Sequence, residues 1–141
     1  MRVSTKFTAA IQFLLQFKIY ENEIINAPFL AKKVGTDEVT MRQIMKLLKD
    51  NGIIASKMGP KGGTTLLKDL KDISVYDLFV IFESDKLSMT FYYSSREFPK
   101  EEIIQHDVVH DNLQKDFDQY LEAMKKTSIM DIFNDYTNRI N

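Results

Sequence analysis

A chain of 141 residues with 44% hydrophobic side chains and a formal charge of -1 is long enough to bury one core and too short for two domains and a linker. Ten Phe and six Tyr argue against disorder, and the lack of Cys excludes disulfides, thiolate metal sites and thiol redox chemistry. With His106 and His110 as its two imidazoles, the chain is expected to need no metal and no cofactor, and its composition reads as intracellular.

The apolar stretch Phe7 to Phe17 after Met1-Arg2-Val3-Ser4-Thr5-Lys6 superficially resembles a signal peptide. Gln12 and Gln16 interrupt it, and it falls far short of the roughly 20 residues that span a bilayer, so it reads as a helix of a cytoplasmic protein. Charge divides unevenly. Residues 1–68 hold 11 Lys and Arg against 5 Asp and Glu, whereas residues 69–141 hold 8 against 15. A basic front suggests a polyanion partner, although patches of this size also arise by chance.

Ser4 or Thr5 caps a first helix running to Ile19 or Tyr20. Phe7, Ala10, Ile11, Leu14 and Leu15 make one apolar stripe, and Phe13 and Phe17 add a second. A helix apolar on two sides needs two covers, and the second is expected from another subunit. Asn26 caps a short second helix with Pro28 in its first turn, closed by Gly35. Thr36 and Asp37 open a third helix from Glu38 to about Asn51, stopped by Gly52. Two short helices joined through a glycine turn form a helix-turn-helix. In the third, Met41, Ile44, Met45 and Leu48 share one face, and Val39, Arg42, Gln43 and Lys46 take the other. Gln43 can pair with an adenine edge and Arg42 with guanine. Met41 and Met45 are also the methionines of this helix whose oxidation would matter.

Residues 53–57 and 64–67 read as paired strands around the Gly-rich tip Met58-Gly59-Pro60-Lys61-Gly62-Gly63. A helix-turn-helix followed at once by a β-hairpin is a winged helix. Residues 73–82 read as a further helix starting at Asp72 or Ser74. From about Lys100 a long helix runs to Lys126, with His106, Val109, Leu113, Phe117, Tyr120 and Met124 on one face, and Ser128 caps a last short helix. At 1.5 Å per residue the long helix spans about 40 Å, more than a small winged helix needs, and pairing across a two-fold axis uses it economically. The expected class is mainly α with a small β-hairpin wing: a winged helix-turn-helix domain over 1–83, a connecting segment over 84–99, and dimerisation helices over 100–141.

These parts together resemble the Rrf-two family of bacterial winged-helix transcription regulators, relatives of IscR, NsrR and CymR. The resemblance rests on Met1 to Lys6, Leu30-Ala31 with Gly35, Gln43, Leu48, Gly52-Ile53-Ile54, Gly59-Pro60, Gly62-Gly63 and Ile73-Ser74-Val75-Tyr76-Asp77 before a long C-terminal helix. It implies a homodimer on double-stranded DNA, with the third helix in the major groove and the wing in the adjacent minor groove. By position it implies DNA contacts at Asp37, Val39, Thr40, Arg42 and Gln43 and at the wing tip, Lys57 to Thr64, which includes Gly59, Pro60, Lys61, Gly62 and Gly63. Arg2, Ser4 and Lys6 match positions near phosphates. Lys46, farther along the third helix, is expected to meet phosphate with Lys61. The chain departs from the family at Met58, where Arg is frequent, at Lys61 and Thr64, where Gly and Tyr are, and at Arg42, where Glu is. The three cysteines that hold an iron–sulphur cluster in sensor members are missing, so the resemblance is to the cluster-free branch.

Two sharper readings stand beside plainer ones. His106 and His110, one turn apart, can chelate zinc or nickel, but are read first as a seam residue and a solvent residue. Phe79, Phe82, Phe91, Tyr92, Tyr93 and Phe98 are read first as core, and second as the lining of a pocket for a small-molecule effector. The leading function is a sequence-specific DNA-binding repressor. The alternative is a winged-helix module that binds another protein and not DNA. No nucleophile–base pair or carboxylate dyad suggests an enzyme.

Overall fold

The computed structural model describes residues 2–84 and 99–141. In chain order these form α1 (Thr5–Ile19), α2 (Ala27–Val34), α3 (Glu38–Asp50), β1 (Ile54–Lys57), β2 (Gly63–Leu66), a 3-10 turn (Leu70–Asp72), α4 (Val75–Phe82), α5 (Lys100–Lys126) and α6 (Ile129–Ile140). The helix starts follow from local chemistry. Ser4, Asn26, Asp37, Ser74 and Ser128 are extended in backbone, and each side chain accepts a hydrogen bond from an N–H of the first turn it precedes. In α4 and α6 the cap is reciprocal, because Asp77 and Asp131 accept from the cap residue's own N–H.

The core gathers all of these elements. Phe7, Ala10, Phe13, Leu14 and Phe17 of α1 meet Leu30, Met41, Ile44, Leu48, Ile54, Leu78 and Phe79, with the Phe7 and Phe79 rings edge to face at 5.8 Å. Met124 and Ile129 belong to the same core, so the end of α5 and the start of α6 are part of the winged-helix body. Two backbone hydrogen bonds fasten them: Val75 N–H donates to the Thr127 carbonyl and Ile129 N–H to the Ile73 carbonyl, at 2.9 and 2.8 Å.

The two-sided α1 is accounted for differently than its pattern predicts. Phe13 and Phe17 are buried within the chain, since α1 packs against α2, α3, α4 and α6 together. No second subunit is required to cover it. A helix crossed by four others inside one domain shows the same all-round apolar pattern as one shared between subunits, which is why periodicity alone misassigned its partner.

Among the described residues, the long helix docks through its C-terminal end. Leu121 and Met124 are packed into the body, whereas Ile103, Ile104, Val108, Val109, Leu113 and Tyr120 remain exposed. Among the described residues, no helix is long and apolar enough to cross a membrane. Phe79 is core and Phe82 packs against it; Phe91, Tyr92, Tyr93 and Phe98 lie outside the described residues.

Candidate nucleic-acid interface

The helix-turn-helix is built by α2, α3 and a turn that only Gly35 makes easily. Gly35 sits at φ 82°, in the left-handed region, and its N–H and that of Thr36 both return to the Ala31 carbonyl, ending α2. The chain then re-enters helix at once through Asp37. Its Oδ1 accepts from Thr40 N–H and its Oδ2 from Thr40 Oγ1, each at 2.8 Å. These bonds, the backbone one foremost, hold the Asp37 carboxyl below the usual aspartate range. Asp37 and Thr40 therefore have their polar atoms engaged in capping α3.

α3 divides cleanly. Met41, Ile44, Met45 and Leu48 are buried, while Val39, at 65% exposure, stands outside with Arg42, Gln43 and Lys46. This burial removes Met41 and Met45 from easy oxidation. The exposed methionine beside the candidate surface is Met58, at 95% exposure on the wing tip. Arg42 pairs with Glu38 at 3.1 Å and Lys46 with Asp50 at 2.9 Å, both along the helix and in solvent. Exposed pairs of this kind contribute only about 0.3–0.5 kcal/mol, so either cation can exchange its carboxylate for a nucleic-acid acceptor at small cost.

The wing is an antiparallel pair with Ile54 opposite Leu66 and Lys57 opposite Gly63. Its tip closes by a 2.9 Å bond from Gly62 N–H to the Gly59 carbonyl, and Gly59 has φ 107°. A Cβ on Gly62 would lie 2.1 Å from the Lys57 carbonyl oxygen, so the tip admits no larger residue there. Lys57, Met58, Gly59, Pro60 and Lys61 are exposed, and Gly62 and Gly63 half-buried. The wing is anchored to the segment before α2 by Thr64 N–H, which donates to the Ile25 carbonyl at 2.7 Å. Met45, Asn26, Lys57 and Gly59 line one cleft, so the wing and the buried side of α3 share a border.

Arg2, Ser4 and Lys6 form a second group at the start of α1. Ser4 caps that helix, with its Oγ accepting from Phe7 N–H at 3.2 Å, and its own N–H donates to the Glu83 carboxylate at the end of α4. Thr5 and Thr8 border a cleft with Gly35, Thr36 and Thr40, bringing the first turns of α1 beside the start of α3. From sequence, Thr5, Asn26 and Thr36 read as cap or opening residues and Thr8 as an ordinary helix position; the structure places Thr5, Thr8 and Thr36 at this cleft and Asn26 at the cleft beside the wing. Far from this region, His106 is partly buried on α5, and His110 Nδ1 lies 3.2 Å from Asp111 Oδ1 in solvent.

Residues 3–135 match the Rrf2 family, described as an iron-dependent transcriptional regulator. The Lactococcus lactis protein called HTH-type transcriptional regulator YffB is 32% identical over 84 residues, 59% of this chain. The match spans 54% of that relative's own length. Two solved structures share the fold at low identity. T. potens IscR superposes with a TM-score of 0.72 at 20% identity, covering 96% of this chain and 88% of that one. CymR, the global cysteine regulator of B. subtilis, superposes with a TM-score of 0.73 at 17% identity, covering 95% and 97%. The iron of the family description does not fit the donors present. The chain has no thiolate, and among the described residues no three His, Asp or Glu side chains are gathered where they could hold a metal ion. With the match running through the helix-turn-helix, the wing and the long helix alike, the chain belongs to the Rrf2 family of transcriptional regulators rather than to any family of enzymes.

Proposed function

We propose that this protein is a homodimeric, sequence-specific DNA-binding regulator that works in the cytoplasm as a repressor. In this reading α3 enters the major groove and the 57–64 wing enters the adjacent minor groove. The observation that carries it is the division of α3: four apolar side chains anchor the helix, and the opposite face offers Val39, Arg42, Gln43 and Lys46 to a partner. Gln43 supplies a donor and an acceptor in the plane that an adenine edge requires. Arg42, released from Glu38, supplies a fork for guanine. Lys57 and Lys61 bring positive charge to a tip that has no bulky side chain but Met58, which suits a narrow groove of negative potential.

Dimerisation is proposed through the exposed half of α5, where Val109 and Leu113 continue the stripe that Met124 carries into the body. Two α3 helices related by a two-fold axis read two half-sites, and an occupied operator excludes polymerase, which gives repression.

Selection of bound duplexes from a random pool tests the reading. The pool should converge on a two-fold symmetric sequence with half-site centres about 34–36 Å, or a multiple of it, apart. A pool that binds but never converges refutes sequence-specific reading. A protein that retains no duplex at all, even at low salt, favours the protein-binding alternative.

A further inference from the structure

The three N-terminal caps built on serine are not closed in the same way. In α4, Asp77 returns a hydrogen bond from the Ser74 N–H at 2.9 Å, and in α6 Asp131 does the same for Ser128 at 2.9 Å. The equivalent residue of α1 is Phe7, which has no acceptor and turns its ring onto Phe79. The Ser4 N–H instead donates to Glu83 Oε1, a residue 79 positions away.

Glu83 is an unusual place for that acceptor. It is 1% exposed, and it ends α4, where its N–H returns to the Phe79 carbonyl at 2.8 Å. A carboxylate at a helix C-terminus faces the negative end of that helix and gains nothing from it. At the N-terminus of α1 the same charge meets the positive end of a helix dipole and an N–H that Phe7 leaves without a local acceptor. Burial of a carboxylate is tolerated only when hydrogen bonds compensate its lost hydration. Glu83 is thus badly placed for its own helix and well placed for α1. Together with the Phe7–Phe79 ring contact one turn earlier, it clamps the start of α1 to the end of α4 at two points.

We propose that Glu83 is a positioning residue for DNA binding: it completes the cap of α1 from across the fold and holds Arg2, Ser4 and Lys6 in place for the phosphates. The inference rests on the DNA-binding reading above. Without the clamp the first turn of α1 frays, and cations on a frayed turn lose more chain entropy when they bind phosphate.

Glu83→Met tests this without opening a cavity, since it keeps the length of the side chain and removes both oxygens. Glu83→Gln keeps the acceptor. Two readouts are needed: hydrogen exchange of the Ser4 amide in the free protein, and the salt dependence of binding to a mixed-sequence duplex. Glu83→Met should speed Ser4 exchange by about fivefold or more, as loss of a cap bond does. It should also lower the salt slope by about one unit for each phosphate that the first turn of α1 no longer holds. Adding Lys6→Ala should change Glu83→Met little, although it should lower the slope of the wild type by about one unit. Glu83→Gln should resemble the wild type in both readouts. If Glu83→Met does not fold, Glu83→Ala removes the acceptor while leaving the Ser4 cap oxygen on Phe7 N–H intact, and the same loss of the Lys6 effect is expected. Wild-type protein that binds duplex, with variants that melt lower but keep the slope and the full Lys6 effect, overturns the proposal alone. Wild-type protein that binds no duplex refutes the DNA-binding reading and the proposal with it.

Discussion

Replacing Val109 and Leu113 together by Asp should convert the protein from dimer to monomer while leaving each monomer folded. Val109 and Leu113 are 50% and 49% exposed in the single chain. Full burial of such a side chain stabilises by about 1.5–3 kcal/mol, so the exposed half of each holds roughly 1 kcal/mol for a partner to gain. Two-fold symmetry counts every position twice, giving about 4 kcal/mol for the pair of sites. At 1.4 kcal/mol per factor of ten, losing this weakens the dimer about a thousandfold, before any repulsion among the four introduced carboxylates. In the monomer both positions face water, and changes at such sites shift stability by about 0.5 kcal/mol or less. Light scattering or sedimentation across a concentration series should find the wild type near twice 16.4 kDa at micromolar concentration and the variant near 16.4 kDa. Melting temperatures should stay close. A monomeric wild type, or a double variant that dimerises as tightly as the wild type, would show that the α5 stripe serves some other purpose.

Other consequences follow from single residues. The Asp37 carboxyl is held below its ordinary range, so the charged cap contributes stability above the unfolded aspartate value of about 3.9 and loses it as pH falls through the folded value. Asp37→Asn keeps a cap without titrating, and acid melts should show the wild type losing ground to this variant only below about pH 4. Gly62→Ala forces the wing tip open against the Lys57 carbonyl and should reduce DNA affinity while the melting temperature changes little; an unaltered affinity would remove the wing from the interface. Mild peroxide should oxidise Met58 well before Met41 and Met45, by peptide mass mapping, and dithiothreitol should not reverse any effect on DNA binding, because no thiol exists to respond. Leu48→Ala, on the buried face of α3, should cost about 2–5 kcal/mol of stability, read by denaturant melts, a loss far outside the range of the surface changes at Arg42 or Gln43.

What could be read from the sequence is what is local. A cap needs an oxygen within three residues of the N–H it accepts, so Ser4, Asn26, Asp37, Ser74 and Ser128 announce their helices directly. The faces of α3 follow from 100° per residue, and the wing from glycines between two short β-prone runs. The first strand starts one residue later than the expected 53–57, and the second is shifted one residue earlier than the expected 64–67, because Gly63 pairs with Lys57 and Ile53 and Leu67 are joined by a single bond past the ladder. The 3-10 turn at Leu70–Asp72 is too short to show a period. Two features depended on distant chain and left no local trace. One is the cover of α1, which four helices of the same chain supply. The other is Glu83, whose partner lies 79 residues away and whose sequence context is an ordinary helix end.

The central claim, that α3 reads base sequence and the wing adds affinity, is tested most directly by one set of binding constants. The wild type, Arg42→Ala, Gln43→Ala and Lys61→Ala are each titrated with the selected operator and with a scrambled duplex at fixed salt. Arg42→Ala and Gln43→Ala should each lower the ratio of specific to scrambled affinity by about 1–3 kcal/mol, with melting temperatures unchanged. Lys61→Ala should weaken both duplexes about equally and flatten the salt slope by about one unit. If the α3 variants weaken both duplexes equally, as the wing variant does, α3 is not the reader and the proposed orientation on DNA is wrong.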